Sequence, residues 1–345
     1  MRSRSEPWAS CPLKQEIRAG VWEPFIRSLT GGRPLQNYLT LYSPSLMDVK
    51  HLSDTSLIVF DGQVYKGVVG VTYDSTAYAE AIRQGMGRPE FLLLGNIINI
   101  LINVREPNHK KLLDMFPFEA INLDYEDSIF SGNVSFPISQ HIDALDRLFD
   151  MQYKKGCQKF CLFVTSRAEQ SQFAPSFISE LEKIIDQNLL IAPSFGQAFN
   201  QTYGVNAAAD LLSSSYDDFA TLGLIKLIIS MLSDRDYEVT NCDVKWLNRD
   251  EKGGRERLLH LAFLIEKSAR QSPQSATRVR QYGRRKLQYH ARHLLNYLHN
   301  RATKGLNILK ESVDRGTLQA KHGDNVMKLL SKTYQLKVPE QVPEQ

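Results

Sequence analysis

The sequence predicts an α/β fold built on a mostly parallel sheet, with helices on both faces, a terminal antiparallel hairpin and a basic C-terminal helix. Three observations predict it. Apolar, Val-rich runs of strand length alternate with helix-periodic segments from Tyr38 to Leu232. Two strand-like runs, Tyr237 to Leu247 and Arg257 to Glu266, flank the turn Asp250-Glu251-Lys252-Gly253-Gly254. Finally, residues 267–310 carry eleven Lys/Arg and no Asp or Glu, so a net charge of +4 hides a remainder at −7.

The elements follow in order. Residues 1–36 are mixed, with little periodicity, and read as an N-terminal extension. Tyr38 to Tyr42 is a short strand; Ser43-Pro44-Ser45 starts a helix from Leu46 to Leu52, with Pro near its first position. Val64 to Tyr73 is a Val-rich buried strand ending at Asp74-Ser75, and Ala77 to Gln84 is a helix closed by Gly85 and Gly87. Glu90 to Leu94 is a third strand, running into Gly95-Asn96. Phe118 to Asp124 is a fourth, ending abruptly in Asp124, Tyr125, Glu126 and Asp127. Ser139 caps a helix to Lys155, with Ile142, Leu145, Phe149 and Tyr153 at helical spacing. Lys159 to Thr165 is the fifth strand and Phe177 to Gln187 a helix. Residues 191–216, with Pro193, Gly196, Gly204 and three serines in a row, read as a looped insertion. A strongly apolar helix opens at Asp217 or Asp218 and runs to Leu232. Residues 277–312 read as one long helix with an apolar stripe, within a basic helical region at 269–335. The doubled Val-Pro-Glu-Gln at 336–345 reads as a disordered tail.

Composition narrows the function classes. Hydrophobic residues are 42% of the chain and charged residues 23%, the globular range. Four cysteines without a CxxC pattern point to a reduced intracellular protein and away from zinc. The start lacks the apolar core of a signal peptide. The apolar runs at 91–104 and 222–232 fall short of the roughly 20 residues a bilayer needs, so a soluble, cytoplasmic protein is expected. Neither GxxxxGK[ST] nor GxGxxG occurs, which disfavours the common ATP and NAD sites.

In open parallel sheets, ligands sit beyond the carboxyl ends of the strands, near the switch in strand order. Three such ends carry polar residues: Thr72-Tyr73-Asp74, Gly95-Asn96, and Asn122-Leu123-Asp124-Tyr125. A carboxylate after the second strand can accept both hydroxyls of a ribose, and an amide or carboxylate after the third can meet an adenine amino group. For each, a plainer role competes: Asp74 as a helix cap, Asn96 as a turn residue, Glu126 and Asp127 as solvated charges, Tyr125 as cover for the core.

These residues and the order of elements resemble class I S-adenosylmethionine-dependent methyltransferases, the Rossmann-like family. Val69 to Asp74 looks like that family's second strand with its acidic end, Leu94-Gly95-Asn96 like the Gly-Asp after its third, and Phe118 to Asp124 like its fourth. The fourth is closest to the Asp-Leu-Asp-Pro segment of tRNA guanine-N2 dimethyltransferases. Asn122 and Tyr125 have the outer spacing of an Asn-x-x-Tyr version that grips a planar amine. The chain departs from the family after the first strand, where Leu41 to Leu46 holds no glycine.

The resemblance implies a methyltransferase-like α/β domain over 37–268 and S-adenosylmethionine as cofactor. It implies Asp74, Thr72, Asn96 and Ser43 around that cofactor. It makes Asp124 the acceptor of a hydrogen bond from a target amine, Tyr125 a platform for its base, and Asn122 their partner. Arg278, Arg280, Arg284, Arg285, Lys286 and Arg292, interleaved with Tyr and His, are the expected nucleic-acid contacts, for RNA or DNA. Two readings stay open: an enzyme methylating a nucleic-acid amine, or a catalytically inactive methyltransferase-fold scaffold that recruits nucleic acid, a protein partner or a second copy of itself.

Overall fold

A computed structural model of the chain describes residues 12–125, 127–131, 140–251 and 254–268, together with Leu294, Tyr297, Leu298 and 308–310. Strands β1 (Tyr38–Leu41), β2 (Val64–Thr72), β3 (Arg88–Leu94), β4 (Ala120–Asp124), β5 (Lys159–Arg167), β6 (Tyr237–Glu251), β7 (Gly254–Lys267) and β8 (Ile308–Lys310) form one sheet in the order β3-β2-β1-β4-β5-β7-β6-β8. β1 to β5 are parallel to one another; β7 is antiparallel to both β5 and β6. The expected mostly parallel sheet with helices on both faces and a terminal antiparallel hairpin is the fold observed.

The strands are buried on both faces, which is why they read as continuous apolar runs. Leu39, Val69, Ile121, Leu123, Leu162 and Phe263 face one core, with α5 (Ile97–Ile102), α7 (Gln140–Lys154), α8 (Pro175–Ile191) and α11 (Tyr216–Ser233). Tyr38, Val68, Ala120, Phe163 and Ala262 face the other. There they meet α1 (Pro12–Ile17), α2 (Glu23–Thr30) and α3 (Met47–Asp54). The remaining helices are α4 (Ser75–Gln84), α6 (His109–Asp114), α9 (Pro193–Tyr203) and α10 (Ala208–Ser214).

Three expectations are corrected. The N-terminal segment is helical from Pro12 to Thr30 and packs Leu13, Ile17, Trp22, Phe25 and Ile26 into the second core. A π turn, Arg18–Trp22, joins α1 to α2, with Glu23 N–H donating to the Arg18 carbonyl. Pro24 explains it, since a residue without an N–H cannot continue the i→i−4 ladder and the chain takes one extra residue per turn just before it. Second, the looped insertion at 191–216 is helical. Pro193 stands at the first turn of α9 and Gly204, at φ 72°, ends it, so both act as helix punctuation. Third, Ile308–Lys310, inside the span expected as one long helix, pairs in parallel with β6, Trp246 opposite Ile308. Leu294 and Leu298 are buried against the larger core. Glu126, Ser139, the six basic nucleic-acid candidates from Arg278 to Arg292 and the tail 336–345 lie outside the described residues.

Candidate functional site at the carboxyl rim of the sheet

The strand order reverses between β1 and β4, and the carboxyl ends of β3, β2, β1 and β4 stand side by side there. After β1 the chain turns through Tyr42 to Leu46 without glycine. The turn is made by Leu46 itself, at φ 47°, with its side chain 2% exposed and that of Met47 1%. A non-glycine residue in the left-handed region costs roughly 1–2 kcal/mol, which burying two apolar side chains offsets. The half-buried hydroxyls of Ser43 and Ser45 lie 2.9 Å apart in the same turn.

Asp74 follows β2 and caps α4: its Oδ1 accepts from the N–H groups of Thr76 at 2.8 Å and Ala77 at 3.1 Å. Thr72 Oγ1 accepts from the Asp74 N–H at 3.1 Å, fixing the turn, and the Tyr73 side chain between them is 65% exposed. Asn96 follows β3 and caps α5 through Oδ1, 2.8 Å from the Ile98 N–H. Both residues therefore have the local role that competed with ligand binding. Each cap uses only one of its side chain's two polar atoms, so Asp74 Oδ2 and Asn96 Nδ2 make no hydrogen bond among the described residues.

Beneath the switch lies a polar cluster. Asp48 Oδ2, on the first turn of α3, accepts from Thr40 Oγ1 at 2.7 Å and from the Tyr38 hydroxyl at 2.9 Å. Asn122 Nδ2 donates to Thr40 Oγ1 at 3.2 Å, while its Oδ1 is buried without a partner. Burial, with the Asp48 carboxylate beside it, holds the Tyr38 phenol well above its ordinary pKa, so it remains a donor.

Across the sheet, Asp124, Thr165, His260 and Lys245 oppose one another on β4, β5, β7 and β6. This polar rung is covered by the N-terminal helices. Lys14 of α1 makes an ion pair with Asp124, the two side chains being 13% and 31% exposed. Trp22 Nε1–H donates to His260 Nε2 at 3.1 Å, which puts the imidazole proton on Nδ1, 2.9 Å from Thr165 Oγ1. Burial, then the charges of Lys14 and Lys245, lower the His260 pKa to about 3, so the ring is neutral. Sequence reasoning missed this rung. Its signal was a lone polar residue inside an apolar run, His260 in Leu258-Leu259-His260-Leu261-Ala262.

Asn122 and Tyr125 do not converge, a correction to their expected joint grip. Asn122 faces Thr40 and Asp48 on one side of the sheet. Tyr125 is 5% exposed within the other core, its ring 4.6 Å from that of His141, and burial raises its phenol pKa. A base has no access to that ring here. Among the described residues, no group of three or more His, Cys, Asp or Glu could hold a metal ion, and no helix is long and apolar enough to cross a membrane.

A profile of the PP_RS20740-like family matches residues 3–308. The chain belongs to that family. No curated protein matches this PP_RS20740-like chain. Among solved structures it is similar to the N-methyltransferase NodS from Bradyrhizobium japonicum, at 10% identity and TM-score 0.34, over 74% of this chain and 98% of that one. It is also similar to TYW2 from M. jannaschii in complex with AdoMet, at 9% identity and TM-score 0.33, over 72% and 76%. A putative RNA methyltransferase, PH1948 from Pyrococcus horikoshii, follows at 11% and 0.32, over 72% and 80%. These superpositions are loose; the fold of the PP_RS20740-like chain is described by its own strand order, which switches between β1 and β4.

Proposed function

We propose that the protein is a divergent S-adenosylmethionine-dependent methyltransferase whose acceptor is a nucleic-acid amine. The reading rests on one observation: Ser43, Asp74 and Asn96 follow β1, β2 and β3, and Asp124 ends β4, at the same rim, flanking the switch in strand order. The atoms there suit an adenosyl group. Asp74 Oδ2 is an acceptor for ribose hydroxyls, Asn96 an amide for the adenine edge, Ser43 and Ser45 offer hydroxyls, and Tyr73 presents an aromatic face. When bound, this cofactor supplies an electrophilic methyl group on a sulfonium sulfur.

The chain's own contribution is positioning and charge. Asp124 would accept an N–H of the acceptor amine and so hold its nitrogen lone pair toward the transferable methyl group that the cofactor would supply. Asp124 then stabilises the ammonium proton until it passes to solvent. In the acceptor complex the amine takes the place of the Lys14 ammonium on Asp124. Cys161, buried within β5, has its thiol pKa raised by burial, so covalent attack on a base from that position is disfavoured. The basic residues Arg278, Arg280, Arg284, Arg285, Lys286 and Arg292 supply the expected contacts to the polyanion.

A second reading, a scaffold without catalysis, is favoured by the Lys14–Asp124 ion pair and by the glycine-free turn filled by Leu46. Calorimetric titration of S-adenosylmethionine and of S-adenosylhomocysteine separates the two. Micromolar-to-millimolar binding that weakens in Asp74→Ala is expected; absence of heat at millimolar ligand leaves the scaffold.

A further inference from the structure

The amine that the fold itself holds on Asp124 is Lys14 Nζ. Leu13 and Ile17, both buried in the second core, pin α1 on either side of it, so packing sets where Lys14 stands. β1 and β4 run in register, Thr40 opposite Asn122, and the turn that begins at Tyr42 therefore leaves the sheet beside Asp124. Ser43 and Ser45 of the cofactor reading belong to that turn. The Lys14 and Asp124 side chains are 13% and 31% exposed, so neither is sealed from solvent. Lys245, the other ammonium whose charge bears on His260, has Asp243 as its own partner at 3.3 Å, which leaves Asp124 to Lys14.

We propose that Lys14 is a self-modification site, its Nζ methylated by the chain that carries it. This inference rests on the S-adenosylmethionine reading above and is independent of the nucleic-acid acceptor. That reading puts the nitrogen that receives the methyl group on Asp124, and Lys14 places a primary amine there with no acceptor bound. The ammonium first gives a proton to solvent by way of Asp124. The freed lone pair then forms the N–C bond, and the bond from that carbon to the sulfonium sulfur breaks with its electron pair left on sulfur. Methylation keeps the positive charge, so the ion pair with Asp124 outlasts the change while an N–H donor is lost.

Mass spectrometry of the full chain after incubation with S-adenosylmethionine tests it. Lys14 is the only lysine among residues 1–16, so the endoproteinase Glu-C peptide that ends at Glu16 reports it alone. Methyl increments on Lys14 are expected, at a rate per molecule unchanged by dilution because the amine and the donor site share one chain. Lys14→Arg should abolish the increment, and Asp124→Asn should slow it about tenfold or more by releasing the amine from its position. A second readout needs no transfer. In reductive methylation with formaldehyde and cyanoborohydride, S-adenosylhomocysteine should protect Lys14 severalfold while exposed Lys110 reacts as before. Calorimetric heat with S-adenosylhomocysteine but a Lys14 both unmodified and unprotected would overturn the self-modification and leave the cofactor reading standing; no heat removes both. A rate that falls on dilution, or increments that persist in Lys14→Arg, would also overturn it.

Discussion

The indole N–H of Trp22 donates to Nε2 of His260 at 3.1 Å, across 238 residues of sequence, and ties the N-terminal helices to the middle of the sheet. That bond requires a neutral imidazole. With a folded pKa of about 3 against roughly 6.5 unfolded, the unfolded chain binds the extra proton between those values. The contribution is therefore fully present above about pH 6.5 and lost as pH falls toward 3, by up to about 1.4 kcal/mol per pH unit. Urea denaturation of wild type and His260→Gln should show a stability difference that widens from pH 4 to pH 6.5. A constant difference across that range would remove His260 as the titrating group.

The Lys14–Asp124 ion pair fastens α1 to the end of β4. Both side chains keep some solvent contact, so Lys14→Met should cost only about 1–2 kcal/mol. Lys14→Met combined with Asp124→Asn should destabilise less than the two single changes added together, by about 0.5 kcal/mol or more, because the pair is coupled. Strict additivity in denaturant titrations would mean that the two charges do not communicate in solution.

Asp48 carries the hydrogen bonds of two buried hydroxyls, Tyr38 and Thr40. Asp48→Ala would strand both donors beneath the β1/β4 switch, at a cost of about 2–4 kcal/mol. Replacing the donors as well, in Tyr38→Phe/Thr40→Val/Asp48→Ala, should recover part of that loss. Thermal and urea melts of the two variants decide the point.

Binding of single-stranded or duplex nucleic acid should fall steeply with salt, and reversing Arg284, Arg285 and Lys286 to Glu should weaken it and flatten the salt dependence. Fluorescence anisotropy at several ionic strengths measures both. Affinity unchanged by the triple reversal would take those residues out of the interface.

Local patterns in the chain placed most of the strands and the helices between them. Val-rich runs, Asp74 and Asn96 before helices, and Gly85 after one are signals carried within a few residues. The hairpin's turn residues likewise announced β6 and β7. Helicity from Pro12 to Thr30 was hidden because the π turn before Pro24 shifts the apolar positions out of a single 3.6-residue period. Pro193 and Gly204 looked like loop signals because the same residues serve turns and helix ends alike.

Sequence alone thus established the order of the strands from β1 to β7, most of the helices between them and the acidic strand ends, since periodicity and punctuation are short-range properties. It left open which groups meet across the sheet. Strand register sets Asp124, Thr165, His260 and Lys245 in one row, and packing of a distant helix brings Lys14 to Asp124 and Trp22 to His260. The same packing turned Asn122 and Tyr125 to opposite cores. Contacts between residues 80 to 240 positions apart leave no trace in local spacing, because they are fixed by how whole faces bury one another.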